Sequence, residues 1–395
     1  MPLADAIREA LSSQTMIRRM FEEGARMKKQ HGEENVFDFS IGNPDLQPPL
    51  AFHHVLGRLA QEAQKGAHAY MPNAGFPEVR ETLARKVSAE QGTDIDGSHI
   101  VMSCGAAGGI NVVFKAILNP GDEVVVSKPY FMDYRPYTAN HGGRLVEVPS
   151  LADFGLDLDA LKASLSPKTA VVLINSPHNP TGRVYSRETI AALAEILCEH
   201  GRNCGRMPYL VSDEPYREIA YDGIEVPPVL SAYPQSIVVT SWSKNLSLPG
   251  ERIGYIAVSP AASGKEELMG GLIYATRILG FVNAPALMQR VVAELTHARV
   301  DVEVYARRRA LFTKILDEAG ITYARPEGTF FLFCRVPADG DDIAFVEHLH
   351  KHLILAVPGT AFGMPGWLRF AYCVDEKVIS SSQEAFTRAL ETWKA

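Results

Sequence analysis

The 395-residue chain has only five cysteines, Cys104, Cys198, Cys204, Cys334 and Cys373, an odd and scattered set with no C-x-x-C pair. That spacing offers neither a disulfide framework nor a zinc knuckle, and a reducing cytoplasm is the compartment it fits. A basic block is also missing: Lys plus Arg number 39 against 46 Asp plus Glu, for a formal net charge of −7. Nucleic acid and anionic membrane surfaces are therefore poor partners. No uninterrupted apolar run reaches the roughly 18 residues of a membrane span. Asp5, Arg8 and Glu9 stand where a secretory leader would need its apolar stretch, so a soluble intracellular protein is expected. Repeats, low-complexity tracts and linker-like charge runs are absent too, which implies domains that are interleaved or closely packed. The composition that remains, 46% hydrophobic, 22% charged and 9% aromatic, is enough for two or three domain-sized cores.

Ala6, Ile7, Leu11, Met16, Ile17, Met20 and Phe21 recur at helical spacing, predicting a helix up to about Gly32, and Gly42-Asn43-Pro44-Asp45 breaks the chain after it. From about residue 99 to 260, short β-branched runs alternate with amphipathic segments. Strands are predicted at Ile100–Met102, Glu123–Ser127, Ala170–Asn175, Tyr209–Asp213, Ile237–Thr240 and Ile253–Val258. Helices are predicted at Gly108–Leu118 and from an N-cap at Ser186 to about His200. Near-continuous apolar strands separated by helices describe an α/β protein with a mostly parallel sheet covered on both faces. From about Asn283 the pattern changes to long helices over Pro285–Ala319, strands at Thr329–Val336 and Trp367–Cys373, and a last helix over Ser380–Lys394, a second, α+β unit.

Ligands in such sheets sit at the carboxyl ends of the strands, and three neighbouring ends carry unusual side chains. Ser176-Pro177-His178-Asn179-Pro180-Thr181-Gly182 follows one strand, Asp213-Glu214-Pro215-Tyr216 the next, and Ser241-Trp242-Ser243-Lys244 the third, with Arg252 eight positions on. An amide, an acid, a phenol and a lysine thus stand together. Gly105-Ala106-Ala107-Gly108-Gly109 lies between a strand and an apolar helix, where backbone amides can approach an anion. It is not a G-x-G-x-x-G fingerprint, and tight helix–strand packing would explain the same glycines. His348, His350 and His352 suggest a metal, yet only 348 and 352 share a helical face, so a solvated helix face is expected and no metal site. His53-His54 reads as ordinary helix.

In Asn179-Pro180-Thr181-Gly182, Asp213-Glu214-x-Tyr216, Ser241-x-Ser243-Lys244, Gly250-Glu251-Arg252-Ile253-Gly254-Tyr255 and Arg369-Phe370-Ala371-Tyr372, in that order, the sequence resembles the class I/II aminotransferases, pyridoxal-phosphate enzymes of fold-type I. The resemblance runs from Gly42 to the C-terminus. It implies a large cofactor-binding domain over 49–282 and a smaller α+β domain built from both termini, 1–48 and 283–395.

The resemblance also implies roles. Lys244 holds the aldehyde of pyridoxal 5'-phosphate as an imine, which takes an amine of adjustable pKa. Asp213 keeps the pyridine nitrogen protonated, and Asn179 and Tyr216 hydrogen-bond the ring oxygen. Gly105, Ala106, Ala107, Ser241, Ser243 and Arg252 form the phosphate cup, and Phe131 stacks on the ring, with a core phenylalanine as the competing reading. Arg369, preceded by the loop Pro358–Gly363, takes the substrate α-carboxylate as a bidentate partner, and Gly42 offers its backbone. Tyr70, followed by Asn73-Ala74-Gly75, reaches the phosphate of a neighbouring subunit, so a homodimer with shared sites is expected.

The activity so implied is transamination between an L-amino acid and a 2-oxo acid by a ping-pong mechanism, with Lys244 carrying the proton. A carbon–sulfur β-lyase or other α,β-eliminating enzyme of the same fold shares these motifs. A transcriptional regulator with an aminotransferase-like sensor is set aside, since no helix-turn-helix pattern precedes Gly42. For the donor, Arg277 stands before Asn283-Ala284-Pro285, one residue off the register at which aspartate-type relatives place an arginine from the neighbouring subunit. Because glutamate and 2-oxoglutarate are the commonest exchange pair of the family the sequence resembles, a dicarboxylic donor such as aspartate or glutamate is expected, against an apolar pocket of Tyr274, Ile278 and Phe281 for alanine-like, branched or aromatic donors.

Overall fold

A computed structural model describes residues 3–5, 7–8, 11, 15–62 and 65–393. The N-terminal prediction is met by a helix at Thr15–His31, while Ala6 lies outside the described residues. The chain divides into a larger unit, residues 44–302 with 325–329, and a smaller one, residues 1–43, 303–324 and 330–395. The division expected at 282/283 falls instead at 302/303. The helix Ala286–Glu294 sends Met288, Val291 and Val292 into the same apolar core as Leu83 and Val87 of the larger unit.

The larger unit is built on seven strands: β1 (Ile100–Ser103), β2 (Glu123–Ser127), β3 (Arg144–Val148), β4 (Thr169–Asn175), β5 (Tyr209–Asp213), β6 (Ser236–Ser241) and β7 (Gly254–Val258). Their order is β1-β7-β6-β5-β4-β2-β3. All neighbours run parallel except β7, which is antiparallel to both β1 and β6. β3 escaped the sequence reading because it is an edge strand, with Arg144 exposed and three of its residues only half-buried. β4 shows the opposite pattern, every residue buried. Strand side chains alternate between faces, and here both faces are apolar. Val171, Leu173, Val211, Ile237 and Val239 join one core with Val113 and Phe114 of the helix Gly105–Ile117. Val172, Ile174, Leu210 and Val238 join the other with Leu193 and Leu197 of the helix Arg187–Cys204. That second helix starts as predicted, with the Ser186 hydroxyl accepting from the Thr189 amide at 3.2 Å.

The smaller unit has a four-stranded antiparallel sheet in the order Val357–Pro358, Trp367–Ala371, Phe331–Arg335, Tyr323–Ala324. A two-residue parallel pair, Phe37–Asp38 with Ile354–Leu355, lies beside it in the same unit. Phe39, Phe312, Phe370 and Phe386 form its aromatic core, the closest rings 4.6 Å apart. The long helices expected over 285–319 are Ala286–Glu294 and Val302–Glu318, while the last helix is divided into Glu376–Ser381 and Gln383–Thr392.

Candidate active site

Asp213 ends β5, between β4 and β6, and is almost fully buried. Its Oδ2 accepts a 2.6 Å hydrogen bond from the Tyr134 hydroxyl, whereas its Oδ1 is buried without a hydrogen-bond partner. Burial pushes the carboxyl up to about 7; the Tyr134 hydrogen bond pulls it down and the neighbouring Glu214 charge adds to the rise. A buried carboxylate with one oxygen satisfied and one left over is a receptor for a charged N–H donor.

The flanking strand ends supply the other groups. Asn175, last in β4, uses both ends of its amide: Nδ2 donates to the Asp213 carbonyl at 2.8 Å, and Oδ1 accepts from the Asn179 backbone at 2.7 Å. The Asn179 turn is thereby tied to the Asp213 strand. Tyr216 is buried, and the Lys244 Nζ lies 5.8 Å from its ring centroid. Lys244 itself is half-buried. Ser241 and Ser243 hydroxyls bond at 3.0 Å. Behind the lysine, Asn245 Nδ2 donates to Glu218 at 2.8 Å, and Lys86 pairs with Glu218 at 2.9 Å and Glu90 at 2.8 Å.

The glycine cluster divides into two duties. Gly105 has φ 72° and opens the helix Gly105–Ile117; a Cβ there would lie 2.8 Å from Nη2 of Arg252. The guanidinium is thus poised over a helix N-terminus, two sources of positive field in one cradle. Arg252 is itself held by a 2.8 Å bond from Nη1 to the Pro249 carbonyl. Gly109, by contrast, serves packing, since its Cβ would meet Val239 at 2.6 Å. Ala106, Ala107 and Phe131 are half-buried, and Phe131 meets Tyr134 edge-to-face at 5.5 Å. An unmatched buried acceptor, an adjacent lysine and an anion cradle suit a pyridine that carries an aldehyde and a phosphate.

Arg369 belongs to the smaller unit, in the strand Trp367–Ala371 opposite Phe333 and Val357. It is buried, its Nη2 donates to the Ser40 carbonyl at 2.9 Å, and its guanidinium lies 4.2 Å from the Phe331 ring centroid and 4.9 Å from that of Phe362. Asp342 anchors the preceding loop through the Thr360 amide at 2.7 Å and the Gly366 amide at 3.2 Å. Gly42 faces Phe331, whose Cζ would be 2.6 Å from a Cβ there.

Two expected residues are on the surface of the larger unit. Tyr70 is 90% exposed. Arg277 is exposed on the helix Lys265–Ile278, in one stripe with exposed Tyr274 and Ile278. Because this segment is helical, a one-residue offset does not reverse the face as it would in a strand. Arg277 and the apolar pair therefore share one surface, while Phe281 packs toward the core. The histidines also differ from expectation. His348, His350 and His352 are half-buried, and His348 Nε2 bonds the Ala389 carbonyl at 2.8 Å. No metal-binding group of three is found among the described residues.

Sequence reasoning overlooked Tyr134, Asn175, Phe331 and Phe362. Asn175 had a signal, being the polar end of an otherwise apolar strand. Phe331 could have been found once its strand was paired with that of Arg369, because it lies diagonally across from the arginine.

The chain matches the family described as aminotransferase class I and II over residues 34–385. It is 32% identical over 364 residues to an aspartate/prephenate aminotransferase of Thermus thermophilus, covering 89% of this chain and 90% of that protein. It is 29% identical over 374 residues to aromatic-amino-acid aminotransferase 2 of Thermococcus litoralis, covering 92% and 94%. Among solved structures, an amino transferase from Eubacterium rectale superimposes with a TM-score of 0.95 at 36% identity, covering all of both chains.

Proposed function

Because this chain belongs to the class I and II aminotransferases and is a pyridoxal-phosphate-dependent transaminase, we propose that Lys244 is its cofactor-bearing lysine, Arg369 its carboxylate receptor, and aspartate or glutamate its donor. The observation that carries the assignment of the site is the unpartnered buried oxygen of Asp213, one strand from Lys244.

Bound pyridoxal 5'-phosphate supplies an aldehyde that takes up the amino group and a protonated ring that draws electron density from the substrate Cα. Asp213 Oδ1 would hold the proton of the ring nitrogen, while Tyr134 keeps Oδ2 occupied so that the charge stays directed to Oδ1. Asn179 and Tyr216 would hydrogen-bond the ring oxygen. Arg252, the hydroxyls of Ser241 and Ser243, and the helix start at Gly105, Ala106 and Ala107 would bind the phosphate, and Phe131 would hold the ring. Arg369 and the Gly42 backbone take the α-carboxylate. With the cofactor bound, Lys244 Nζ would be the base that takes the proton from the substrate Cα and holds it for return. Releasing one 2-oxo acid before the next enters makes the kinetics ping-pong.

We take the enzyme to be a cytoplasmic homodimer. Support for the dimer is Tyr70, an aromatic side chain 90% exposed, and the stripe of Tyr274, Arg277 and Ile278, which a second copy would cover. Tyr70 then serves the partner's phosphate and Arg277 the distal carboxylate of the partner's substrate. The five free thiols accord with a reducing compartment.

The test of the donor is Arg277→Leu, assayed with aspartate and alanine. Aspartate activity is expected to fall by about 1.5–3 kcal/mol, the size of a charge-assisted hydrogen bond, with alanine little changed. Equal losses, or none, would turn the reading toward an apolar pocket.

A further inference from the structure

We propose that Phe331 is a positioning residue for substrate binding, one ring that sets both the guanidinium of Arg369 and the backbone of Gly42. The inference deepens the reading of Arg369 as carboxylate receptor and rests on it. Its grounds lie wholly in the smaller unit. The strands Phe331–Arg335 and Trp367–Ala371 pair with Phe333 opposite Arg369 and Phe331 opposite Ala371. Phe331 is therefore the diagonal neighbour of Arg369 on the same sheet face, a spacing that long and aromatic side chains bridge. The fully buried ring lies 4.2 Å from the guanidinium carbon, a cation–π contact shielded from water.

The far edge of the same ring lies against Gly42. A Cβ at 42 would come within 2.6 Å of Phe331 Cζ and 2.7 Å of Cε1. Gly42 has no left-handed φ that would demand glycine, so the ring is what excludes a side chain there. The segment before Gly42 is in turn joined to the arginine strand: the Ser40 carbonyl accepts from Arg369 at 2.9 Å and the Phe39 carbonyl accepts from the Ala371 amide at 2.7 Å. The guanidinium and the Gly42 backbone, both assigned to the substrate carboxylate, are thus spaced by one aromatic edge. A smaller residue at 331 would let both drift, and a bidentate contact is sensitive to such drift.

The test is a double-mutant cycle in the holoenzyme with Phe331→Leu, Gly42→Ala and the pair. The measurements are KM and kcat for alanine and aspartate, together with dissociation constants for propionate and succinate, the deaminated skeletons of those donors. Each single variant is expected to raise KM and both dissociation constants about tenfold, with kcat within about twofold and cofactor absorbance unchanged. Gly42→Ala is expected to add little in the Phe331→Leu background, because the space its methyl needs is then open. Phe331→Met, which keeps much of the volume but neither the aromatic face nor the ring edge at Gly42, should raise KM and both dissociation constants in the same direction with kcat little changed, and it carries the comparison if the leucine variant does not fold. Additive effects, a loss confined to kcat, or unaltered carboxylate binding in Phe331→Leu would overturn the proposal. Failure of Arg369 itself as receptor is read separately, since Arg369→Leu would then leave propionate and succinate binding unaltered.

Discussion

The hydroxyl of Tyr134 donates a 2.6 Å hydrogen bond to Oδ2 of Asp213 and leaves Oδ1 of the same buried carboxylate without a partner. One donor thus divides the two oxygens into a satisfied one and a receptive one. Tyr134→Phe removes that donor while preserving the ring and its edge-to-face contact with Phe131. The carboxyl is then expected to rise further above its ordinary value, and cofactor affinity to fall by about 1.5–3 kcal/mol. An absorbance titration of cofactor release checks this; native affinity would reduce Tyr134 to a packing residue.

Stability without cofactor should carry the imprint of Asp213. Its carboxyl, raised by burial from the ordinary carboxylate range to about 7, stays protonated in the folded chain at pH values where the unfolded chain has lost that proton. The folded state binds more protons across this window, so the stability of the cofactor-free protein falls as pH rises from about 4 to about 7, by an amount on the order of a few kcal/mol. Asp213→Asn should flatten that slope in chemical denaturation at pH 5 and pH 7.5. With cofactor bound, a charged N–H at Oδ1 favours the ionised carboxylate and the slope should vanish. An identical slope in Asp213→Asn would assign the effect to other groups.

Shared sites are tested by mixing two inactive chains, Lys244→Ala and Tyr70→Ala. If Tyr70, 90% exposed on its own chain, serves the partner's phosphate, hybrid dimers regain one competent site. Confirmed hybrids with no recovered activity would return Tyr70 to its own subunit.

The larger unit could be read from sequence because burial on both faces of a parallel sheet leaves uninterrupted apolar runs. Thr169–Asn175 is buried throughout, and its run ends at the residue that begins the site. Legibility failed where burial is partial or contacts are remote. Arg144–Val148 is an edge strand only half-buried over most of its length and carries a weak signal. The boundary at 302/303 depends on where Met288 and Val291 pack, which helical spacing alone does not specify. Tyr134 meets Asp213 across 79 positions of sequence, and Phe331 meets Arg369 only through strand pairing. Lys244, Asp213 and Asn179 stood out because each lies at or within four residues of a strand's carboxyl end, so local sequence and location in the fold coincide.

The central claim is that Lys244 is the amine that holds the cofactor. Borohydride reduction of the holoenzyme, followed by proteolysis and mass mapping, reads this directly. The account predicts a single phosphopyridoxyl label, on the peptide containing Ser243-Lys244-Asn245, and none in Lys244→Ala, whose fold and phosphate cradle persist. Label on any other lysine, or an undiminished label in Lys244→Ala, would contradict it.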